Sequence, residues 1–165
     1  MMAARAQRWI PVGAAALAAC AVAGLGAAMT DLGPWYQGLR KPAWQPPDWL
    51  FGPVWTLIFA LAALAFVAAW RAAPDGRIRT WIVLLFAVNG FFNVLWSAFF
   101  FRLHRPDWAL VEVGLLWLSI LLMIVTLARV SKTASRLLIP YIVWVTFAAL
   151  LNLAVVRLNQ PFQEV

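Results

Sequence analysis

Amide and aromatic side chains share one face of the third apolar segment of the chain: Asn89, Asn93, Trp96 and Phe100. Their spacing of four, three and four positions is that of one face of an α-helix. An amide inside such a segment is costly unless it finds partners, so this face is predicted to look toward other helices or a ligand. The pattern leaves two interpretations open: an aromatic binding cavity, or plain interhelical hydrogen bonding with aromatic packing.

The fifth apolar segment repeats this arrangement with Tyr141, Trp144, Ala148 and then Leu151 or Asn152. Because a small residue beneath a ring leaves space, a cavity is predicted there. The chain has 11 tryptophans. Four lie deep in apolar segments, where no wet headgroup satisfies the indole N–H, and are the ligand candidates: Trp55, Trp96, Trp117 and Trp144. Four lie at segment ends, where membrane interfaces hold aromatic rings: Trp9, Trp70, Trp81 and Trp108.

The residue inventory excludes several enzyme classes. The single histidine, His104, cannot form a bis-histidine haem site, and the two lysines, Lys41 and Lys132, lie in loops, away from any retinal Schiff-base position. No second carboxylate faces Glu112, and neither a Ser-His-Asp set nor a metal-ligand spacing is present. Hydrolytic and metal chemistry are not supported, and neither a metal nor an obligatory cofactor is predicted.

The composition is that of a membrane protein, because 65% of the residues are apolar and only 12% are charged. Five apolar segments can cross a hydrocarbon core of roughly 30 Å as helices; they cover residues 9–29, 49–70, 80–101, 108–128 and 137–156. Lipid offers the backbone no hydrogen bonds, so the segments must be helical. The predicted fold is all-α: one integral membrane domain over residues 1–165, a bundle of five transmembrane helices.

The net charge of +7 could indicate a nucleic-acid partner, but the basic residues lie in short loops and are better explained as topology signals. Eight fall on one side: Arg5, Arg8, Arg71, Arg77, Arg79, Arg129, Lys132 and Arg136. Five fall on the other: Arg40, Lys41, Arg102, Arg105 and Arg157. The positive-inside rule therefore favours a cytoplasmic N-terminus. Residues 17–20 also resemble a lipoprotein cleavage box, but the apolar run continues to Met29, which favours a retained first helix. Cys20 is the only cysteine, so no internal disulfide is possible.

The longest connector, residues 30–48, is unlike a solvated linker because it holds three aromatic residues and several prolines. The prolines discourage helix and favour a rigid, extended cover over the mouth of the bundle. A membrane-interface hairpin is the alternative. Pro53 is expected in the first turn or so of the second helix, where its missing N–H costs little.

Ordered motifs in this region and beyond it resemble those of one known family. Trp35-Tyr36 is followed by LRKPAWQPPDW at 39–49 and FGPVWT at 51–56. Further motifs follow in order: Asn93 with Trp96, Phe99-Phe100, Pro140-Tyr141 with Trp144, and Leu151-Asn152. The series is similar to the signature of the tryptophan-rich sensory protein (TspO/MBR) family, which includes the mitochondrial translocator protein, or peripheral-type benzodiazepine receptor. The resemblance spans Trp35 to Asn159.

The resemblance implies a five-helix bundle whose first loop covers a pocket for porphyrins such as protoporphyrin IX, and in some relatives for cholesterol or synthetic benzodiazepine-type ligands. The family's pocket positions fall on Trp35, Phe51, Trp55, Asn89, Asn93, Trp108, Trp144, Ala148 and Leu151. Trp96 is added to these positions because it lies deep in the third apolar segment, on the same face as Asn89 and Asn93. Trp55 and Trp144 match tryptophans that support light-driven porphyrin breakdown in some bacterial members. Arg40 and Lys41 at the mouth are expected to meet porphyrin propionates.

Departures from the family pattern limit what is expected. The sterol-recognition pattern lacks its Tyr between Leu151 and Arg157, so sterol binding is not expected. Ala87 and Gly90 are not four positions apart, which weakens the expectation of a homodimer through the third helix but leaves it open. Some bacterial relatives occupy the outer membrane, whereas apolar helical spans favour the bacterial inner membrane.

Glu112 is the one carboxylate inside a predicted span. It could pair with a basic loop residue or hold a ligand nitrogen, but its place near the start of the span favours a hydrated carboxylate at the interface. His104 is expected to be an interface residue rather than a ligand.

Three functions remain open. The preferred one is a membrane receptor or sensor that binds porphyrins in an aromatic intramembrane pocket and regulates tetrapyrrole or stress responses. The alternatives are an enzyme that degrades porphyrin in light and oxygen, with Trp55 and Trp144 as its catalytic residues, and a tetrapyrrole or lipid transporter.

Overall fold

A computed structural model describes the backbone of residues 2–162 and the side chains from Trp9 onward. The side chains of Arg5 and Arg8, which enter the predicted charge bias, lie outside the described residues. The helices are α1 (Met2–Met29), α2 (Pro34–Gly38), α3 (Asp48–Ala72), α4 (Gly76–Ser97), α5 (Pro106–Leu127), α6 (Lys132–Leu137) and α7 (Ile139–Asn159). A π-helix, Ala98–Arg102, continues α4. No strand occurs in residues 2–162.

Five helical segments are long and apolar enough to cross a membrane: Trp9–Met29, Asp48–Ala72, Gly76–Arg102, Pro106–Leu127 and Lys132–Asn159. They confirm the predicted all-α bundle, and Trp9–Met29 has the predicted bounds. The segments that begin at Gly76 and Lys132 start several residues before the predicted apolar segments because polar side chains cap these helices. The Asp75 side chain accepts a hydrogen bond from Ile78 N at 2.8 Å, so α4 begins before its apolar residues. The Ser131 side chain accepts one from Ala134 N in the same way and begins α6.

Two expectations about prolines are wrong. Pro53 lies beyond the first turn of α3, because that helix begins at Asp48. Because Pro53 has no N–H, the Trp49 carbonyl lacks the hydrogen-bond donor that it would have in a regular helix. The cover is also not extended throughout, because Pro34 stands at the first position of the short helix α2, where its fixed φ suits a helix.

The bundle is packed tightly at the end remote from the cover and loosely beneath it. α3 packs along α1 and against α6 at the remote end, but it makes few contacts with α7. The main apolar core lies toward that end and includes Ala65, Ala69 and Leu138, all fully buried. A smaller cluster under the cover consists of Tyr36, Phe100, Ala109 and Val155. The divergence of α3 from α7 opens a space at the covered end.

Asparagines tie three spans together beside this space. The Tyr141 hydroxyl donates to Asn89 Oδ1 at 3.2 Å and accepts from Asn93 Nδ2 at 3.1 Å. Asn89 Nδ2 also donates to Ser119 Oγ at 2.9 Å. These bonds connect α4 with α5 and α7, which satisfies amides that would be costly in an apolar bundle.

Candidate functional site

A cavity of about 610 Å³ lies beneath the cover, with walls from four spans. α3 contributes Phe51, Gly52, Trp55, Thr56 and Phe59. α4 and the π-helix contribute Asn93, Trp96, Ser97, Phe100 and Phe101, and α7 contributes Trp144, Ala148, Leu151, Asn152 and Val155. α1 contributes Ala23, Gly26 and Ala27, whose small side chains leave room. This size falls within the range of roughly 300–1,000 Å³ that is usual for small-molecule sites.

Aromatic rings face one another across this space. On the α3 wall, the Trp55 ring stacks on Phe59 with centroids 5.5 Å apart. On the α7 wall, the Trp144 ring stacks on Phe147 at 5.3 Å. The edge contact between Phe51 and Trp144, at 5.7 Å, joins the two walls near the cover. Flat faces and ring edges therefore line an apolar space that suits a planar ligand.

Two indole N–H groups in the cavity walls are unsatisfied. Trp96 Nε1 and Trp144 Nε1 are buried and have no hydrogen-bond partner within residues 9–162. A buried donor without a partner is costly, and native structures rarely leave one unexplained. Trp117 differs, because its Nε1 donates to Thr146 Oγ1 at 2.9 Å and its ring does not line the cavity.

The cover supplies a polar roof to the cavity. Tyr36, Lys41, Gln45 and Asp48 all line it. The Tyr36 hydroxyl donates to Asp48 Oδ1 at 2.8 Å, and Gln45 Nε2 donates to the same oxygen at 3.1 Å. Burial, then the hydrogen bond to Asp48, raise the pKa of Tyr36 above its ordinary value, so the phenol keeps its proton and remains a donor.

The cover is fixed to the bundle at a second point. Asn159, at the end of α7, donates from Nδ2 to the Arg40 carbonyl at 2.9 Å and accepts from Arg40 N at 2.8 Å. Its side chain thus satisfies the backbone of an irregular segment, as a neighbouring strand would. The Arg40 side chain itself is exposed and does not line the cavity.

Eight of the predicted site residues border the cavity: Lys41, Phe51, Trp55, Asn93, Trp96, Trp144, Ala148 and Leu151. Four do not: Trp35, Arg40, Asn89 and Trp108. Asn89 is occupied by interhelical bonds, and Trp108 lies on α5, which contributes no lining residue among those described because it packs between α4 and α7. Trp35 stacks on His104 at 4.2 Å, outside the cavity.

The roof residues Tyr36, Gln45 and Asp48 were not predicted as site residues, nor were those of α1. The roof residues lie in or beside an irregular loop, which offers no periodicity from which the direction of a side chain could be predicted. On α3, Gly52, Thr56 and Phe59 follow helical spacing with Trp55, a signal that would have extended the predicted wall.

The expectation of a hydrated Glu112 is wrong. This residue is only 3% exposed, and both carboxylate oxygens lack a hydrogen-bond partner in the described part of the chain. Its helix begins at Pro106, so Glu112 lies more than a turn into the span, on the buried face of α5 that also carries Ala109, Val113 and Leu116. His104 is exposed, and its ring stacks on Trp35.

Comparison with known proteins gives consistent matches over most of the chain. The model of the TspO/MBR family matches residues 14–158. The chain is 43% identical to tryptophan-rich protein TspO of Chlorobaculum tepidum over 125 residues, covering 76% of this chain and 79% of that protein. It is 32% identical to the tryptophan-rich sensory protein of Cereibacter sphaeroides over 143 residues, covering 87% and 88%. It is 32% identical to the human translocator protein over 130 residues, covering 78% and 77%.

Proposed function

Since this chain belongs to the TspO/MBR family and is an integral membrane protein, we propose that it is a receptor or sensor whose covered cavity binds porphyrins. The observation that carries the proposal is the aromatic cavity between α3 and α7, with Trp55 and Trp144 in its walls. A porphyrin is a flat apolar macrocycle, and stacking on indole faces contributes free energy beyond that of apolar burial. In this proposal, the porphyrin-bound protein regulates tetrapyrrole or stress responses.

The unsatisfied indoles add support. A ligand acceptor, or a water carried with the ligand, would give Trp96 Nε1 and Trp144 Nε1 the partners they lack among the described residues. The sensory role agrees with the name of the relative from Cereibacter sphaeroides.

Titration of the detergent-purified protein with protoporphyrin IX tests the proposal. We expect saturable quenching of tryptophan fluorescence, because the ligand would lie against indole rings. Trp55→Phe combined with Trp144→Phe should weaken both binding and quenching. The matched control is Trp9→Phe with Trp81→Phe, two exposed residues away from the cavity, which should leave the affinity unchanged. Equal affinities for both double variants and the parent would show that the ligand binds elsewhere.

Light-driven breakdown of porphyrin is a second candidate, because both family-implied tryptophans border the cavity. An excited porphyrin passes energy to oxygen, and an electron-rich indole in ring contact is then open to oxidation. Illumination in oxygen should bleach bound protoporphyrin IX faster than free pigment, and the Trp55→Phe, Trp144→Phe variant should lose this difference. Equal bleaching by parent and variant would remove this candidate.

A transporter role has less support. The cavity walls come from the covered half of the bundle, whereas the remote half is closed by the packing of α3 against α1 and α6. Transport would require porphyrin to enter sealed vesicles containing the protein faster than it enters empty ones.

A further inference from the structure

The basic residues of this protein differ in their partners at the two ends of the bundle. Two ion pairs occur among the described side chains, and both lie at the covered end: Lys41 with Asp48, and Arg105 with Asp107. Six exposed basic residues at the remote end have no acidic partner in the described part of the chain: Arg71, Arg77, Arg79, Arg129, Lys132 and Arg136. Asp75 is the one acid in the connectors there, and its Oδ1 accepts a hydrogen bond from Ile78 N. The remote end therefore keeps a positive charge that these residues do not neutralise.

Arg79 is held in place by an aromatic ring in place of an acid. Its guanidinium carbon lies 5.4 Å from the centroid of the Trp70 ring. Trp70 is near the end of α3 and Arg79 is in the first turn of α4, so the contact spans the connector between the two helices. A cation in the first turn meets the positive end of the helix dipole, which lowers the stability of the helix. An anion bound at this point would offset that repulsion.

Aromatic rings continue from Trp70 into the membrane-spanning parts of α3 and α4. The Phe66 ring stacks on Trp70 with centroids 5.7 Å apart and makes an edge contact with Phe86 of α4 at 5.3 Å. All three rings are half-buried, and α3 makes few contacts with α4. The two helices therefore leave a shallow apolar groove, lined by these rings, on the membrane side of Arg79.

A guanidinium group above an apolar groove matches the two parts of an anionic phospholipid. Phosphate oxygens accept hydrogen bonds from a guanidinium in a bidentate geometry. Trp70 lies close to the end of the span Asp48–Ala72, which is the level at which headgroups meet aromatic and basic side chains. A zwitterionic lipid carries its own cation beside the phosphate, so the unneutralised charge of the remote end favours an anionic lipid.

We propose that the edge between α3 and α4 at the remote end is a binding site for an anionic phospholipid. Arg79, held against Trp70, binds the phosphate, while Phe66 and Phe86 contact one acyl chain. The other basic residues of the remote end attract the lipid at longer range. None of these residues lines the covered cavity, so lipid binding here and porphyrin binding there are independent of each other.

Native mass spectrometry of the detergent-purified protein tests the site by measuring lipid adducts. The protein is titrated with phosphatidylglycerol, with phosphatidylcholine of the same acyl chains, and with glycerol 3-phosphate, which has the phosphate but no chain. Micelles have no leaflets, so a change of charge cannot act through membrane orientation.

Arg79→Gln is the main variant, and Arg77→Gln is its matched control. Arg77 lies in the same turn of α4, is also exposed, and has no aromatic partner among the described residues. Arg157→Gln removes the same charge from an exposed residue at the covered end. Arg79→Lys keeps the charge and loses the bidentate geometry, and Phe66→Leu removes the central ring of the groove.

The parent should bind phosphatidylglycerol about tenfold or more tightly than phosphatidylcholine. Arg79→Gln should weaken phosphatidylglycerol binding about twentyfold or more, because it removes charge-assisted hydrogen bonds to the phosphate. Arg77→Gln and Arg157→Gln should each weaken it by about fivefold or less, the effect of one distant charge. Arg79→Lys should be intermediate. Phe66→Leu should weaken binding of both lipids alike, since their chains are identical.

Four results would overturn the proposal. Equal affinities of the parent for the two lipids would remove the preference for an anion. Equal losses in Arg79→Gln and Arg77→Gln would reduce the binding to a diffuse field. A loss in Arg157→Gln as large as that in Arg79→Gln would place the lipid at the covered end. Glycerol 3-phosphate bound as tightly as phosphatidylglycerol would mean that the groove contributes nothing and that the surface serves a soluble anion.

Discussion

The side-chain amide of Asn159 forms two hydrogen bonds with the backbone N–H and C=O of Arg40, 119 positions away in sequence. The pair fastens the cover of the cavity to the last turn of α7. A separate attachment is the ion pair between Lys41 Nζ and Asp48 Oδ2, 3.8 Å apart, which fastens the cover to the start of α3.

Replacing Asn159 with Ala should therefore loosen the cover. Each bond contributes about 1 kcal/mol net, so the loss of both should raise the open fraction about thirtyfold. Tryptic cleavage after Arg40 should accelerate accordingly, as should ligand association and dissociation. Asn159→Asp keeps the acceptor for Arg40 N and should give an intermediate rate. An unchanged cleavage rate in Asn159→Ala would show that this pair does not control opening.

Tyr141→Phe should destabilise the bundle by roughly 1–2 kcal/mol, because it removes two interhelical bonds and leaves Asn89 and Asn93 with fewer partners. The comparison is Trp117→Phe, which removes one bond to the exposed Thr146 and should cost about 0.5 kcal/mol. Unfolding in mixed detergent measures both. A loss from Trp117→Phe as large as that from Tyr141→Phe would contradict the importance given to the buried network.

Gly90→Ala should destabilise the contact between α1 and α4. A Cβ built on Gly90 would lie 2.9 Å from Val22 Cγ2, and a branched side chain in a helix has little freedom to move aside. Overpacking of this kind costs about 1–3 kcal/mol, and Val22→Ala in the same protein should restore stability. Gly114→Ala is the control, because no atom lies within 4 Å of its added Cβ. A lower unfolding temperature for Gly114→Ala than for Gly90→Ala would contradict the predicted clash between the added Cβ at position 90 and Val22.

Glu112→Gln should preserve or raise the free energy of unfolding, because nothing among the described residues hydrogen-bonds to its buried carboxylate. Breaking a buried ion pair would instead cost about 3–5 kcal/mol. Denaturant unfolding of the parent and of Glu112→Gln distinguishes a carboxylate without a partner from one in a buried ion pair. A large loss of stability in Glu112→Gln would indicate an ionic partner, and a selective loss of porphyrin affinity would indicate a ligand contact.

Much of the fold could be predicted from the sequence because lipid leaves a long apolar segment one conformational choice. Apolar length located all five spans, and helical spacing placed Asn93 with Trp96, and Trp144 with Ala148, on faces that line the cavity. Helix ends were less well placed, because they depend on single caps such as Asp75 that lie outside the apolar pattern.

The class of protein, the number of spans and the inward faces of the helices follow from local hydrophobicity and its period along the chain. The tertiary structure decided which inward residues share one space. Periodicity gives the direction of a side chain but not the neighbouring helix. Depth in an apolar segment therefore makes Trp117 a ligand candidate on the same ground as Trp144, whereas α5, which packs against α7, contributes no described residue to the cavity lining. The burial of Glu112 and the pairing of Lys41 with Asp48 likewise depend on contacts between segments, which no local pattern records.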